Sequence, residues 1–147
     1  MNEESITQYI TDTFDGVDVL VASGTSYFFY DPERKFPFVT LVTDDSHDDA
    51  SNLNRPSVFR LNIGVGKQTF RSLFGSQAAA SGTVDSGNSS YDFTALDQLM
   101  PHPVYGRMYW LCVLNPSAET FQATVRPLLD EAYEISVSRY GKRVPRE

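Results

Sequence analysis

The sequence predicts an α+β fold, a single domain over residues 1–147 with a mostly antiparallel sheet flanked by helices. Three observations carry this. The predicted order is helix, four strands, helix, loop, strand, helix, so strands come in runs instead of alternating with helices as a parallel sheet requires. The strand segments are short, and the polar residues of the most informative one fall at alternate positions. Finally, 147 residues suffice for one core, and 10 Phe and 8 Tyr supply most of its bulk.

The chain opens with "EESITQYITDTF", where Ile6, Tyr9, Ile10 and Phe14 recur at helical spacing behind a Ser5 cap. A helix over 5–14 follows. Val17, Val19 and Val21 then alternate with Asp18 and Leu20, and "SYFFYDP" is a short aromatic run closed by Asp31-Pro32. These are two neighbouring strands. "FPFVTLVTD" gives a strand over 37–43, apolar on both faces and hence central, with Pro37 at its entrance. In the strand over 57–64, Phe59, Leu61, Ile63 and Val65 point one way and Arg60 and Asn62 the other. One face is core; the other is wet or lined with partners.

"KQTFRSLFG" makes a short helix with Phe70, Leu73 and Phe74 on one side and Gly75 as its stop. Residues 76–90, rich in Ser, Gly and Ala, read as a flexible loop, and "YDFTALDQLM" as a helical turn. In the strand over 108–114, Trp110, Cys112 and Leu114 alternate with Tyr109, Leu111 and Val113. Both faces are apolar, which places this strand inside the sheet with Trp110 and Cys112 in the core. The last helix, 124–140, starts at a Thr124 cap because Pro127 suits a first turn, leaving "SAET" as a separate turn. Leu128, Leu129, Ala132, Ser136 and Tyr140 form its inward stripe, and Gly141 opens a C-terminal tail over 141–147.

Composition excludes several classes of function. A net charge of −7 repels a phosphate backbone, so nucleic acid is disfavoured as a partner. One cysteine cannot close an internal disulfide, no apolar run approaches the ~20 residues that span a bilayer, and "MNEESITQ" lacks a signal peptide's basic and apolar regions. A cytoplasmic protein without a membrane segment is expected.

Four stretches bear on chemistry. "GVGKQT" (64–69) places glycines and a lysine before a helix, but Leu61 and Gln68 break the Walker pattern, leaving a strand-to-helix turn. "DDSHDDA" (44–50) sets four carboxylates around His47, yet the sixth and twelfth positions from Asp44 are Asp49 and Arg55 instead of glycine and glutamate. A solvated charged loop follows. His102, between Pro101 and Pro103, is the candidate base or ligand, or else it hydrogen-bonds the backbone at the strand entrance. Arg60 and Asn62 either bind an anion or satisfy a nearby loop.

Read together, "FPFVTLVT", "NLNRPSVFRLNIGVG", "TFRSLFG", "YDFTALDQLMPHPVYGRMYWLCVLNP" and "RPLLDEAYEI" resemble, in this order, an uncharacterised bacterial family classed only as a domain of unknown function. The resemblance covers nearly the whole chain and implies no known activity. Element order, together with a Pro-His, Tyr, Arg, aromatic-Trp strand and a helix holding an acid-Ala-Tyr-Glu step, is more distantly similar to the MmcQ/YjbR family. That similarity implies a compact α/β fold and, by analogy, DNA binding. "PHPVYGRMYW" stands where that family has a Gly-Tyr-His-Met type segment.

No complete catalytic constellation is present, so the expected function is a noncatalytic small-ligand or protein-interaction module without cofactor or metal. Its site would comprise Arg60, Asn62, His102, Tyr105 and Arg107, recognising a small anion or a protein. The MmcQ/YjbR analogy offers DNA binding instead, and would need Lys67, Arg71, Arg107, Lys142, Arg143 and Arg146 on one surface. A hydrolase or metal-dependent enzyme using His102, or His47 with the Asp44 to Asp49 carboxylates, is the third reading.

Overall fold

The computed structural model describes residues 2–30, 36–75 and 91–143. The predicted loop over 76–90, the Asp31-Pro32 stop and the end of the predicted tail lie outside them. Six strands form one sheet: β1 (Asp18–Ala22), β2 (Thr25–Phe29), β3 (Val39–Val42), β4 (Arg60–Gly64), β5 (Met100–Pro101) and β6 (Trp110–Leu114). Their order is β1-β2-β3-β4-β6-β5, and every pairing is antiparallel. This is the α+β class that the run of strands predicts. The sequence reading has five strands; β5, two residues long, pairs Met100 with Cys112 and escapes any periodicity.

Helix α1 (Glu3–Thr13) starts earlier than Ser5 predicts. Asn2 is the cap: its side chain accepts the Ser5 N–H at 2.8 Å, while Ser5 Oγ accepts the Asn2 N–H at 3.0 Å. Ser5 therefore acts from the third position of a reciprocal capping box. Helix α2 (Lys67–Phe74) ends at Gly75, whose φ of +88° lies in a region that disfavours side chains. Phe70 is buried and Phe74 half-buried, but Leu73 turns to solvent.

The C-terminal helix departs most from expectation. A helical turn (Ala118–Thr120), a π-helical segment (Phe121–Val125) and α3 (Arg126–Arg143) follow one another without a gap. Ser117 caps the whole stretch, its Oγ accepting the Thr120 N–H at 3.1 Å. Thr124 is not a cap and "SAET" is not separate, because the wider π turn makes room for Pro127. Within a regular α-helix that ring would press on the carbonyl four residues back and leave it without a donor. The helix also runs on through Gly141, which the sequence reading gave to the tail.

Side-chain parity gives the sheet two unlike faces. On one, Phe28, Val39, Leu41, Leu61, Ile63, Leu111 and Val113 meet Ile6 and Ile10 of α1, Phe70 of α2, and Val125, Leu128, Leu129 and Ala132 near and within α3. On the other, a smaller cluster of Val42, Leu53, Val58, Met100, Cys112 and Leu114 lies beneath the connecting loops. Of the predicted α3 stripe, Leu128, Leu129 and Ala132 are buried, whereas Ser136 and Tyr140 are only half-buried. "YDFTALDQLM" contributes a turn without a helix, held by Asp92 accepting from the Thr94 backbone and hydroxyl. Among the described residues no helix is long and apolar enough to cross a membrane.

Candidate functional site

The sheet face opposite the helices carries the residues that the β4 alternation set apart. Cross-strand pairing aligns them in rows: Thr25, Val42 and Arg60 in one, and Tyr27, Thr40, Asn62 and Cys112 in the next. Gly64 and Trp110 make a third. Paired residues in an antiparallel sheet share a face. Above these rows lies an open cavity of about 300 Å³. Thr25, Tyr27, Thr40, Arg60 and Asn62 line its floor, and Pro37, His47, Asp48, His102, Tyr105, Met108 and Trp110 surround it. Thr40 thus puts a polar residue beside Val42 on the open face of β3, where the sequence predicts both faces apolar.

Arg60 is 1% exposed and bound on three sides by its own protein. Its two terminal nitrogens donate to the two carboxylate oxygens of Asp48 at 3.0 and 2.7 Å, and one of them also to Ser51 Oγ at 3.0 Å. Its Nε–H donates to Asn62 Oδ1, and Asn62 Nδ2 passes the chain on to Thr40 Oγ1, both at 3.0 Å. Burial opposes the charge on Asp48, but the hydrogen bonds and charge of Arg60 prevail and hold its carboxyl below the usual range. Of the two roles open to Arg60 and Asn62, satisfying a loop is the one observed: Asp48 belongs to "DDSHDDA".

His102 is 5% exposed and fixed at its ring and backbone. Nδ1 accepts the N–H groups of Val104 and Tyr105, each at 3.0 Å, while the backbone N–H donates to Trp110 O at 2.9 Å. A neutral imidazole that accepts at Nδ1 carries its proton on Nε2. Burial, aided by the nearby Arg60 charge and opposed by Asp48, pushes its pKa from 6.5 down to about 3. This histidine is a hydrogen-bond donor near neutral pH and a poor general base. Cys112 is equally unreactive: fully buried, its thiol is pushed up to about 12.

The structure brings Arg60, Asn62, His102 and Tyr105 to one cavity. Arg107 does not join them; it stands exposed on the short turn Gly106–Met108 before β6. Trp110 is not core. Its half-buried indole borders the cavity and lies against Gly64, where an added Cβ would come within 3.0 Å of the ring.

The remaining motifs are absorbed locally. Asp44 accepts from the Ser46 hydroxyl and backbone, which hold its carboxyl below the ordinary range, and Asp45 accepts the Leu53 N–H at 2.8 Å. His47 Nε2 lies 3.4 Å from the Tyr27 hydroxyl at the cavity's edge. Among the described residues no three His, Cys, Asp or Glu side chains gather as a metal site. At "GVGKQT" the anion is the protein's own: Glu131 accepts the Gly66 N–H at 2.8 Å and the Thr69 hydroxyl at 2.7 Å. The carboxylate sits where a helix N-terminus favours negative charge.

Residues 1–145 match a family of unknown function, DUF6194. The chain belongs to that family. No curated protein matches it, and no solved structure does.

Sequence reasoning missed Asp48, Thr25, Tyr27, Thr40 and Trp110 as parts of this site. For the floor residues the signal was parity: Thr25 and Tyr27 in "TSYFF" and Thr40 in "VTLV" are polar positions that register with Arg60 and Asn62. The Asp48 pairing with Arg60 spans a loop that no local pattern constrains.

Proposed function

We propose that the chain is a noncatalytic binding module for a small uncharged ligand held in the open-face cavity. The observation that supports this most is a concave, aromatic-walled site over a floor whose one buried cation is already neutralised by Asp48. An anion would have to compete with that bidentate carboxylate, so the expected anionic ligand gives way to a neutral one. Neither His102 nor Cys112 is poised for chemistry, which favours binding over catalysis.

We do not extend the MmcQ/YjbR likeness to DNA binding. Lys67 and Arg71 border a shallow surface of α2, while Arg107 stands on the turn before β6. The side chains of Lys142, Arg143 and Arg146 lie outside the described residues. A net charge of −7 leaves the protein as a whole with little to hold a duplex.

The test is a titration with 1-indanone, an uncharged bicyclic ketone, against benzoate and inorganic phosphate, read at the indole N–H resonance of Trp110. It is the protein's only tryptophan. The ketone is expected to move that resonance and the anions to leave it in place. Binding of the anions alone, or of none of the three, would overturn the reading.

A further inference from the structure

The hydrogen-bonding capacity left over in the cavity includes one group that can only donate, the His102 Nε2–H. The carboxylate and amide acceptors are engaged: both Asp48 oxygens and Asn62 Oδ1 receive protons from Arg60. Donors remain. His102 has Nδ1 committed to two backbone N–H groups, so its one ring proton, on Nε2, has no partner among those bonds. Thr40 Oγ1 already accepts from Asn62 and keeps its own proton to give. Thr25, 2% exposed, holds the one buried side-chain polar atom among the described residues without any hydrogen-bond partner. All three residues line the same cavity.

Flat apolar surface lies beside these donors. The Trp110 indole rests against Gly64, and the Tyr105 ring, 53% exposed, stands with its centroid 5.0 Å from that of His102. Such surfaces suit a planar ring, which offers offset or edge contacts without a charge to desolvate. Resting on the binding reading above, we infer that the cavity selects an uncharged planar ring bearing a carbonyl or equivalent acceptor, which accepts a hydrogen bond from His102 Nε2–H. Because His102 keeps this tautomer through neutral pH, the same acceptor is demanded across that whole range.

The experiment compares 1-indanone with indane, the same bicycle without its oxygen, on the parent and on His102→Asn. An asparagine Oδ1 can replace Nδ1 as the acceptor of the turn but supplies no donor at the Nε2 position. The variant is expected to lose about tenfold in affinity for 1-indanone relative to indane, the weight of one hydrogen bond. Thr40→Val, which removes a second donor and also the acceptor of Asn62 Nδ2, should lower the same ratio by a smaller factor and serves if the histidine variant does not fold. An unchanged ratio in the folded variants would overturn the acceptor rule and leave the binding reading standing. Failure of the parent to bind either compound would overturn both.

Discussion

The two faces of the sheet are built from the same strands and do opposite work. On the helix-covered face Leu61, Ile63, Leu111 and Val113 are fully buried among apolar neighbours. On the opposite side of the pleat, Arg60 and Asn62 are almost as deeply buried but sit in a polar network beneath a cavity. The first arrangement is stabilising through area removed from water. The second is tolerable only while every charge has its partner. The difference teaches that burial alone does not distinguish core from site in this chain; the chemistry of the buried atoms does.

Truncation of the covered face should give the largest loss. Leu61→Ala is expected to cost about 2–5 kcal/mol in urea unfolding, as a cavity opens among side chains that cannot collapse onto it. Removing one partner of the open-face ion pair comes next. Asp48→Ala leaves the Arg60 guanidinium buried and unpaired, at about 3 kcal/mol, and replacing Arg60 as well by Met should restore most of that loss. If Asp48→Ala proves neutral, the open face is wetter and less dependent on pairing than its geometry implies.

These expectations rest on features of unequal legibility. The parity of β4 alone separated Leu61 and Ile63 from Arg60 and Asn62, because a period of two is local. The Asn2 cap and the π segment ahead of Pro127 were not legible, since Ser5 and Thr124 are equally good caps on paper and only packing selects between them. The site was half legible for the same reason. Its floor follows from strand alternation, but the pairing of Arg60 with Asp48 and the resting of Trp110 on Gly64 are products of the tertiary fold. An apolar strand such as "WLCVL" also reads as core throughout, whereas Trp110 stands at its end, where the cover of loops stops.

Acid should act on the open face as well, through His102. In the unfolded chain His102 titrates near its ordinary 6.5, and in the fold only near 3. The folded value is depressed, so its contribution to stability is complete above 6.5 and is lost as pH falls towards 3. Over that window unfolding free energy should drop by about 1.4 kcal/mol per pH unit. Asp48, held below its ordinary 3.8, adds a loss of the same sign at lower pH. His102→Asn should flatten the upper part of the curve, and an unchanged slope in that variant would mean that His102 is not buried neutral.

The central claim is that the open face is the functional one, and titration of the isotope-labelled protein with 1-indanone tests it most directly. The account predicts that the Trp110 indole resonance and the amides of Tyr27, Thr40 and Asn62 shift together and saturate. Those of Ile6, Ile10 and Leu129, on the helix side of the sheet, should stay in place. Shifts confined to the helix side, or no saturable shift at Trp110, would contradict it.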